Sequence, residues 1–287
     1  MALSKPIQSW LYISPLMLVL IPFFVLPILV VLVASFFETD GFGGLIPTFT
    51  LANYGTVLTS GLTFNLYLET VKFTVLTWFF TLLIGFFVAY FLVFHVRNPL
   101  LAIALFLICT VPFWTSNIIR MISWIPLLGK EGLINSALLR LGLIREPLEF
   151  LLYSSFAVVV AYVHQLTIFM IVPIFNSMAR IDKRVIEAAV DAGASRFDIM
   201  RLIVVPLSKS GIALGSIFVI SIVMGDFFVT KVMSGGGSAS VVSAFYEDIS
   251  VLQYPGAAAS AIMLTVILFA VVSLILRTVD IRKEITQ

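Results

Sequence analysis

Residues 180–209 read RIDKRVIEAAVDAGASRFDIMRLIVVPLSK, and they form the densest cluster of charge in this chain. Apolar side chains recur there every three to four positions with Asp, Arg and Lys between them, a pattern typical of an amphipathic helix. Gly193 interrupts the pattern, and a glycine inside a helix costs about 1 kcal/mol relative to alanine. We therefore predict two short helices joined by a turn at Gly193, with Pro206 marking the entry to the next helix.

Six long apolar runs surround this charged stretch. Hydrophobic residues make up 61% of the 287 residues and charged residues 11%, and the mean hydropathy is +1.13. A soluble domain carries roughly 25% charged residues, so most of the exterior of this chain must face lipid. The runs are residues 11–37, 73–94, 98–119, 150–179, 210–230 and 249–276. Because each is near or above the ~20 residues that cross a bilayer as a helix, we expect an all-α polytopic membrane protein with six transmembrane helices.

The Lys and Arg residues favour one orientation of these spans. Six spans place both termini on the same side of the membrane, and that side would hold most of the basic residues, many of them between residues 180 and 209. Cytoplasmic loops of membrane proteins carry an excess of Lys and Arg. We therefore expect cytoplasmic termini, with residues 180–209 forming a charged helical projection that could bind a soluble partner.

The segments between the runs complete the predicted organisation. Residues 38–65 are rich in Gly, Thr and Asn and should form an extracytoplasmic loop with one short interfacial helix. Residues 121–149 interleave charged and apolar residues with Gly and Pro, which predicts broken or re-entrant helix buried against protein. We expect an N-terminal helix and loop over residues 1–65, a transmembrane core over residues 66–275, and a cytoplasmic tail over residues 276–287.

The spacing of several residues in the charged stretch resembles the EAA motif of ABC importer permeases. The match comprises Glu187, Ala188, Ala189, Gly193, Ile203 and Pro206, with Val205 where the family usually has Leu. The resemblance implies the type I, MetI-like permease fold over residues 66–275 and a coupling helix that docks into a groove of a separate ATP-binding subunit. Closure of two such subunits on ATP would turn paired permeases from inward-facing to outward-facing. The residues implied in coupling are Glu187, Ala188, Ala189, Asp191, Gly193, Ala194 and Pro206.

The chain contains no phosphate-binding loop of the form G-x-x-x-x-G-K-[ST], as expected of a permease that does not itself hydrolyse ATP. The resemblance therefore implies no enzyme activity and no cofactor on this chain, with ATP and Mg bound by a dimer of the partner ATPase. The chain has two histidines, His95 and His164, and one cysteine, Cys109, so we expect no histidine- or thiolate-based metal site. Its basic residues are scattered, so nucleic acid is not an expected partner.

Three further segments resemble the first permease of spermidine/putrescine-type importers, the B/H group. They are residues 111–135, 225–237 and 253–260, although the last reads QYPGAAAS where that group often has Trp-Pro-x-Gly-Ala-Ala. The resemblance implies a bacterial inner-membrane protein, a second permease subunit forming a heterodimer, and an extracytoplasmic solute-binding protein that delivers a polyamine or a related cationic amine. Importers of opines, 4-aminobutyrate, aminophosphonate, thiamine and iron share much of the pattern and remain alternatives.

A few residues in or beside the apolar runs are candidates for the substrate pathway. An acid within the membrane costs ~2.5–3.5 kcal/mol on insertion scales, so Asp226 could face a cavity and stabilise a cationic amine. Alternatively, Asp226 pairs with Lys231 or bonds to a helix end. Tryptophans could stack on a cation or anchor the helices at the interface, and His164 with Gln165 could line the pathway or bond internally. The candidates are Asp226, Trp114, Trp124, His164 and Gln165.

Two other classes of membrane protein fit the sequence less well. An ion-driven secondary transporter would explain the hydropathy, but such proteins normally carry more intramembrane ionisable residues and often an internal repeat. It would also leave the spacing from Glu187 to Pro206 unexplained. A membrane-embedded enzyme would need paired carboxylates, histidine clusters or a nucleophile beside a base, and no such set falls on adjacent helical turns. The sequence therefore predicts the permease subunit of an ATP-driven importer.

Overall fold

A computed structural model describes residues 5–237 and 239–278, and the chain there is almost entirely helical. The predicted tail over residues 276–287 lies outside the described residues from position 279 onward. The described helices divide into two compact units. The first is drawn from Met1–Phe64 and Ala244–Val266, and the second from Asn65–Ser243 and Ile267–Gln287.

The N-terminal apolar run forms a continuous helical span. It comprises α1 (Lys5–Leu20), a π-helical turn at Ile21–Val25, and α2 (Leu26–Ala34). Pro22 and Pro27 lack the N–H that would bond to the carbonyl one turn earlier, and the wider turn falls where these two prolines follow each other closely. The helix ends before the predicted boundary at residue 37.

A hairpin and a short helix follow this span. Strands β1 (Glu38–Thr39) and β2 (Leu45–Ile46) pair antiparallel, and the Asp40 carboxylate accepts two backbone N–H bonds across the turn, each 2.8 Å long. Helix α3 (Ala52–Thr59) is tied to the end of α2 by the Asn53 amide, which donates to two backbone carbonyls at 2.9 Å. The predicted loop over residues 38–65 thus contains its expected short helix but ends earlier.

The second span, α4 (Gly61–Phe94), is 34 residues long and starts before the predicted boundary at residue 73. At 1.5 Å per residue it is about 51 Å long, well beyond the ~30 Å hydrocarbon core. Glu69 and Lys72 form an ion pair at 2.9 Å on its surface. The extra turns are therefore helical although they carry charges, and the uncharged run begins only after Lys72.

The remaining helices are two long spans and many short segments. The chain also contains 3₁₀ turns at Val111–Trp114 and Glu149–Leu151 and a π-helical turn at Met200–Val204. The helices are α5 (Pro99–Thr110), α6 (Asn117–Ile122), α7 (Trp124–Leu128), α8 (Leu133–Arg140), α9 (Ser155–Met178), α10 (Lys183–Asp191), α11 (Arg196–Ile199), α12 (Val205–Leu207), α13 (Lys209–Gly225), α14 (Phe228–Met233), α15 (Val241–Ser250) and α16 (Tyr254–Arg277).

Within the described residues, four helices are long and apolar enough to cross a membrane, and two bent pairs raise the number to six if each pair is one span. The third predicted span, residues 98–119, is broken, because Pro99–Trp114 and Asn117–Arg140 meet at 92°. The fifth, residues 210–230, ends at Gly225, since the backbone at Asp226 is extended. The sixth begins at Tyr254 rather than at residue 249. These corrections leave the predicted all-α polytopic membrane fold confirmed.

Residues 121–149 form short helices separated by turns, which confirms the predicted broken segment. The predicted burial against protein is confirmed only in part, because Leu133, Leu141 and Leu143 are exposed. Asn135 is fully buried there. Its amide nitrogen donates to the carbonyls of Gly129 at 3.1 Å and Leu148 at 3.2 Å, and its amide oxygen accepts the Leu148 N–H at 2.8 Å. These bonds satisfy backbone groups that lipid could not.

Helix α9 packs closely against α13, because Gly211 and Gly215 face it. A Cβ atom at Gly211 would overlap the carbonyl oxygen of Pro173 and lie 2.9 Å from the Cα atom of Ile174. A Cβ at Gly215 would lie 3.2 Å from the Cα atom of Met170. Backbone atoms cannot move aside as a flexible side chain can, so the two glycines fix the distance between the helices that flank residues 180–209.

Candidate functional site

Residues 180–209 fold into the two short helices and glycine turn that the sequence predicts. Helix α10 is capped by Asp182, whose carboxylate accepts the Arg184 N–H at 2.9 Å, and it ends just before Gly193, where φ is +81°. The Gly193 N–H donates to the Val190 carbonyl at 2.9 Å. A Cβ atom at Gly193 would meet no atom within 4 Å. Glycine is therefore favoured here by the left-handed backbone alone, not by packing.

The second half of the loop is capped and then bent into the next span. The Ser195 hydroxyl accepts the Asp198 N–H at 3.2 Å, while the Asp198 carboxylate accepts the Ser195 N–H at 3.1 Å. This reciprocal cap fixes the start of α11. Pro206 lies in α12, and the segment Arg196–Leu207 meets α13 at 67°. Pro206 therefore lies at the entry to the span, as predicted.

The predicted coupling residues lie on two sides of the loop. Glu187, Ala188 and Asp191 are exposed. Ala189 and Ala194 instead pack against the buried core of the second unit. The small side chains of the two adjacent alanines therefore serve different surfaces: Ala188 leaves the outer face accessible, whereas Ala189 lets α10 lie close to its own protein.

Glu187 also lines a groove of about 400 Å³ between α10 and the end of α4. Three basic side chains line the same groove: Arg97, Lys183 and Arg196. Among the described residues that line it, Glu187 is the sole acid. A partner that docks on this face would meet both signs of charge close together.

Both ends of the loop are joined through Ser177 near the end of α9. Its hydroxyl lies 3.1 Å from the Ser210 hydroxyl and donates to the Leu207 carbonyl at 3.4 Å. Together with the close approach at Gly211, these bonds fasten the exit of the loop to its entry. A displacement of residues 180–209 must therefore involve α9 and α13 together.

A cavity of about 610 Å³ lies elsewhere in the second unit, between α4, α5, α6, α7 and α9. Three of the predicted pathway residues line it: Trp124, His164 and Gln165. The Trp124 Nε1–H donates to the His164 Nδ1 at 3.2 Å, and the two rings meet edge to face with centroids 5.4 Å apart. Cavities of 300–1,000 Å³ are typical of small-molecule sites.

Two residues of this cavity were not among the sequence-based candidates. Arg120 and Cys109 both line it. Arg120 directly follows an uncharged run, and this position at the end of a predicted span could have marked it as a candidate. Hydropathy alone, however, places it outside the membrane. The break in the third span turns it inward, and a break of this kind has no signature in hydropathy.

The other two candidates lie elsewhere. Asp226 is not among the residues that line the cavity. Its carboxylate accepts the Val229 N–H at 2.9 Å and the Tyr162 hydroxyl at 3.1 Å, so the helix-end bond considered from sequence is present. Trp114 is 85% exposed and does not line the cavity. Within the described part of the chain, no group of three or more His, Cys, Asp or Glu side chains could hold a metal ion.

Known relatives match nearly the whole chain, although no family model does. The spermidine/putrescine transport system permease protein PotB of Escherichia coli (strain K12) is 32% identical over 252 residues, covering 87% of this chain and 90% of that protein. PotB of Haemophilus influenzae is 30% identical over 250 residues, covering 87% and 86% respectively. A solved chain shares the fold with a TM-score of 0.70 at 15% identity, over 93% of this chain and 92% of its own. It belongs to a bacterial alginate ABC transporter in complex with an alginate pentasaccharide-bound periplasmic protein.

Proposed function

Since this chain belongs to the ABC importer permease family that includes the PotB proteins, we propose that it forms the membrane pathway of an ATP-driven importer for a small amine-bearing solute. The loop at residues 180–209 is the observation that carries the proposal. It presents the exposed Glu187 and Ala188 on a bent helical pair, and its two ends are fastened to α9 and α13. A motor that holds this loop would therefore move two spans at once.

The motor in this proposal is a separate dimer of ATP-binding subunits on the cytoplasmic side of the inner membrane. That dimer binds ATP and Mg, while this chain carries no cofactor and hydrolyses nothing. Residues 180–209 and both termini then face the cytoplasm, in line with the distribution of Lys and Arg. ATP-driven closure of the dimer pulls the loops of two permeases together and changes which side of the membrane the pathway opens to.

The remaining partners are a second permease subunit, different from this chain, and a solute-binding protein on the opposite face. Support for a delivery protein comes from the fold neighbour that was solved with a periplasmic protein. The relatives are named for spermidine and putrescine transport, so polyamines are the first solutes to test, with opines and 4-aminobutyrate as further amine-bearing candidates.

The proposed coupling predicts that a tagged form of this chain captures an ATP-binding subunit from its own cells, and that Glu187→Lys weakens the capture by roughly tenfold or more. The substitution would add a fourth cation to a groove that then holds no acid among its described lining residues, and like charges in an interface cost several kcal/mol. Glu187→Gln is the control, because it keeps the shape and removes only one charge.

Solute uptake should stop on ATP depletion and persist with an uncoupler; the opposite pattern would indicate a secondary transporter.

A cationic solute that passes Asp226 should bind more weakly to the Asp226→Asn variant. Asparagine keeps an oxygen that can accept from Val229 and Tyr162 but removes the charge. Opposite charges 4 Å apart at an effective dielectric constant of 20 attract by about 4 kcal/mol, so we expect the KM for uptake of the amine-bearing solute to rise by roughly tenfold or more. Tyr162→Phe removes one hydrogen bond and keeps the charge, so it should change KM little. Unchanged kinetics in Asp226→Asn would show that the carboxylate only caps α14.

A further inference from the structure

The cavity beside α9 presents hydrogen-bond donors and no acid. Among the described residues that line it, none is Asp or Glu, and its polar side chains include Arg120, Trp124, His164 and Gln165. Arginine can only donate hydrogen bonds and keeps its charge. The His164 Nδ1 accepts the Trp124 N–H, so the ring carries its own proton on Nε2 and donates from that side.

Two of these side chains each hold a buried donor nitrogen without a partner, although another nitrogen of Arg120, Nη2, donates to the Asn117 Oδ1 at 3.4 Å. Gln165 is 3% exposed, and within the described residues its Nε2 makes no hydrogen bond, nor does the buried Nε of Arg120. The large majority of buried polar groups in proteins are bonded, and an unbonded one costs about 1–3 kcal/mol. Both nitrogens belong to residues that line the same cavity, and an acceptor bound beside them would satisfy them.

The charge in the cavity selects the kind of acceptor. Most of the lining is apolar: Phe80, Ile84, Phe156, Val159, Val160 and Val163 are among its residues. A low dielectric strengthens the field of the Arg120 guanidinium. That field repels an ammonium group and attracts an anion, and a guanidinium pairs with a planar carboxylate through two parallel bonds.

We propose that this cavity binds the carboxylate, or a comparable oxyanion, of the transported solute, with Arg120 and Gln165 donating to its oxygens and the Trp124–His164 pair forming one wall. The site rests on the proposed function only in that its occupant is a transported solute. The solute is then an amine that also carries an acid group, rather than a plain polyamine.

Cys109 allows a direct test, because it lines the cavity and is the one cysteine of this chain. The complex is reconstituted in nanodiscs of phosphatidylcholine and treated with methanethiosulfonate reagents that carry either a sulfonate or a trimethylammonium group. The mass of this chain reports the rate at Cys109. We expect the ratio of sulfonate to ammonium rates to fall roughly tenfold in Arg120→Gln, which corresponds to about 1.4 kcal/mol. An unchanged ratio would overturn the proposal.

Protection of Cys109 by solutes distinguishes the acid from the amine. 4-Aminobutyrate and putrescine share a four-carbon chain with an amine at one end. At the other end, 4-aminobutyrate carries a carboxylate and putrescine carries a second amine. We expect millimolar 4-aminobutyrate to slow modification at least fivefold and putrescine to leave it unchanged, with protection lost in Arg120→Gln and in Gln165→Leu. Equal protection by putrescine would overturn the site, as would full protection in both variants. If Arg120→Gln does not assemble, Gln165→Leu decides.

A lipid phosphate could also occupy the cavity, and nanodiscs that contain phosphatidylglycerol test for it. Slow modification of Cys109 without added solute, and no further effect of 4-aminobutyrate, would identify the lipid as the occupant and overturn the proposal. The protection assay needs neither ATP nor a delivery protein. ATP-dependent uptake without protection would therefore refute this site alone, whereas protection together with uptake that ignores ATP depletion would refute the proposed function alone.

Discussion

Replacing Gly193 with valine should lower solute uptake at least tenfold while the chain still reaches the membrane in normal amount. The φ angle of +81° at this position costs an L-residue roughly 1–2 kcal/mol, and a β-branched residue is a clear outlier there. If the turn opens, the bonds from Gly193 to Val190 and from Ala194 to Ala189 are lost. Helices α10 and α11 then no longer present one docking surface.

Gly193→Asn is the matched control, because asparagine adopts left-handed backbone far more readily than valine. A Cβ atom at this position meets nothing within 4 Å, so steric clash does not separate the two variants. We expect the asparagine variant to retain most of the uptake and of the ATPase capture. Uptake and membrane abundance are measured on the same cells. If the valine variant imports at more than half the normal rate, the bend is not needed for coupling.

Gly211→Ala should destabilise the protein far more than a single methyl group normally does. The added Cβ would overlap the carbonyl oxygen of Pro173 and press on the backbone of Ile174, so α9 and α13 would have to separate. Overpacking costs about 1–3 kcal/mol, and we expect the upper end because the obstacle is backbone. In thermal unfolding of the detergent-solubilised chain, Tm should fall by roughly 5–10 °C.

Gly225→Ala provides the comparison on the same helix. Gly225 is the last residue of α13, and a Cβ atom there would meet no atom within 4 Å. The same chemical change is therefore expected to leave Tm within about 2 °C, since it adds no contact and only restricts the unfolded chain. Equal Tm values for the two variants would show that the helices are not held together at Gly211.

The loop at residues 180–209 could be predicted from sequence because its determinants are local. The helical period of its apolar residues, the glycine between two helices and the proline before the span all act on neighbouring positions. The broken third span could not be predicted in the same way. Residues 98–119 carry no charge, and hydropathy reports how apolar a segment is but not where it turns.

The full lining of the cavity could not be predicted from sequence for the same reason. His164 and Gln165 were candidates because polar residues in an apolar run are uncommon, yet hydropathy alone places their neighbour Arg120 outside the membrane. The place of Arg120 in the cavity follows from the 92° bend after Trp114, which is a tertiary feature. Asp226 shows the reverse case: its polarity is visible in the sequence, and the structure gives its carboxylate a local use at the start of α14.

The 67° angle between Arg196–Leu207 and α13 determines how a pull on the loop would be felt in the membrane. A force along Arg196–Leu207 would act mainly as a torque on α13, because the two segments meet at a steep angle. Helix α13 would therefore tilt rather than shift along its own axis. Because Gly211 and Gly215 both lie against the backbone of α9, α9 would tilt with it. A pull on the loop would then reach the membrane as a joint tilt of two helices.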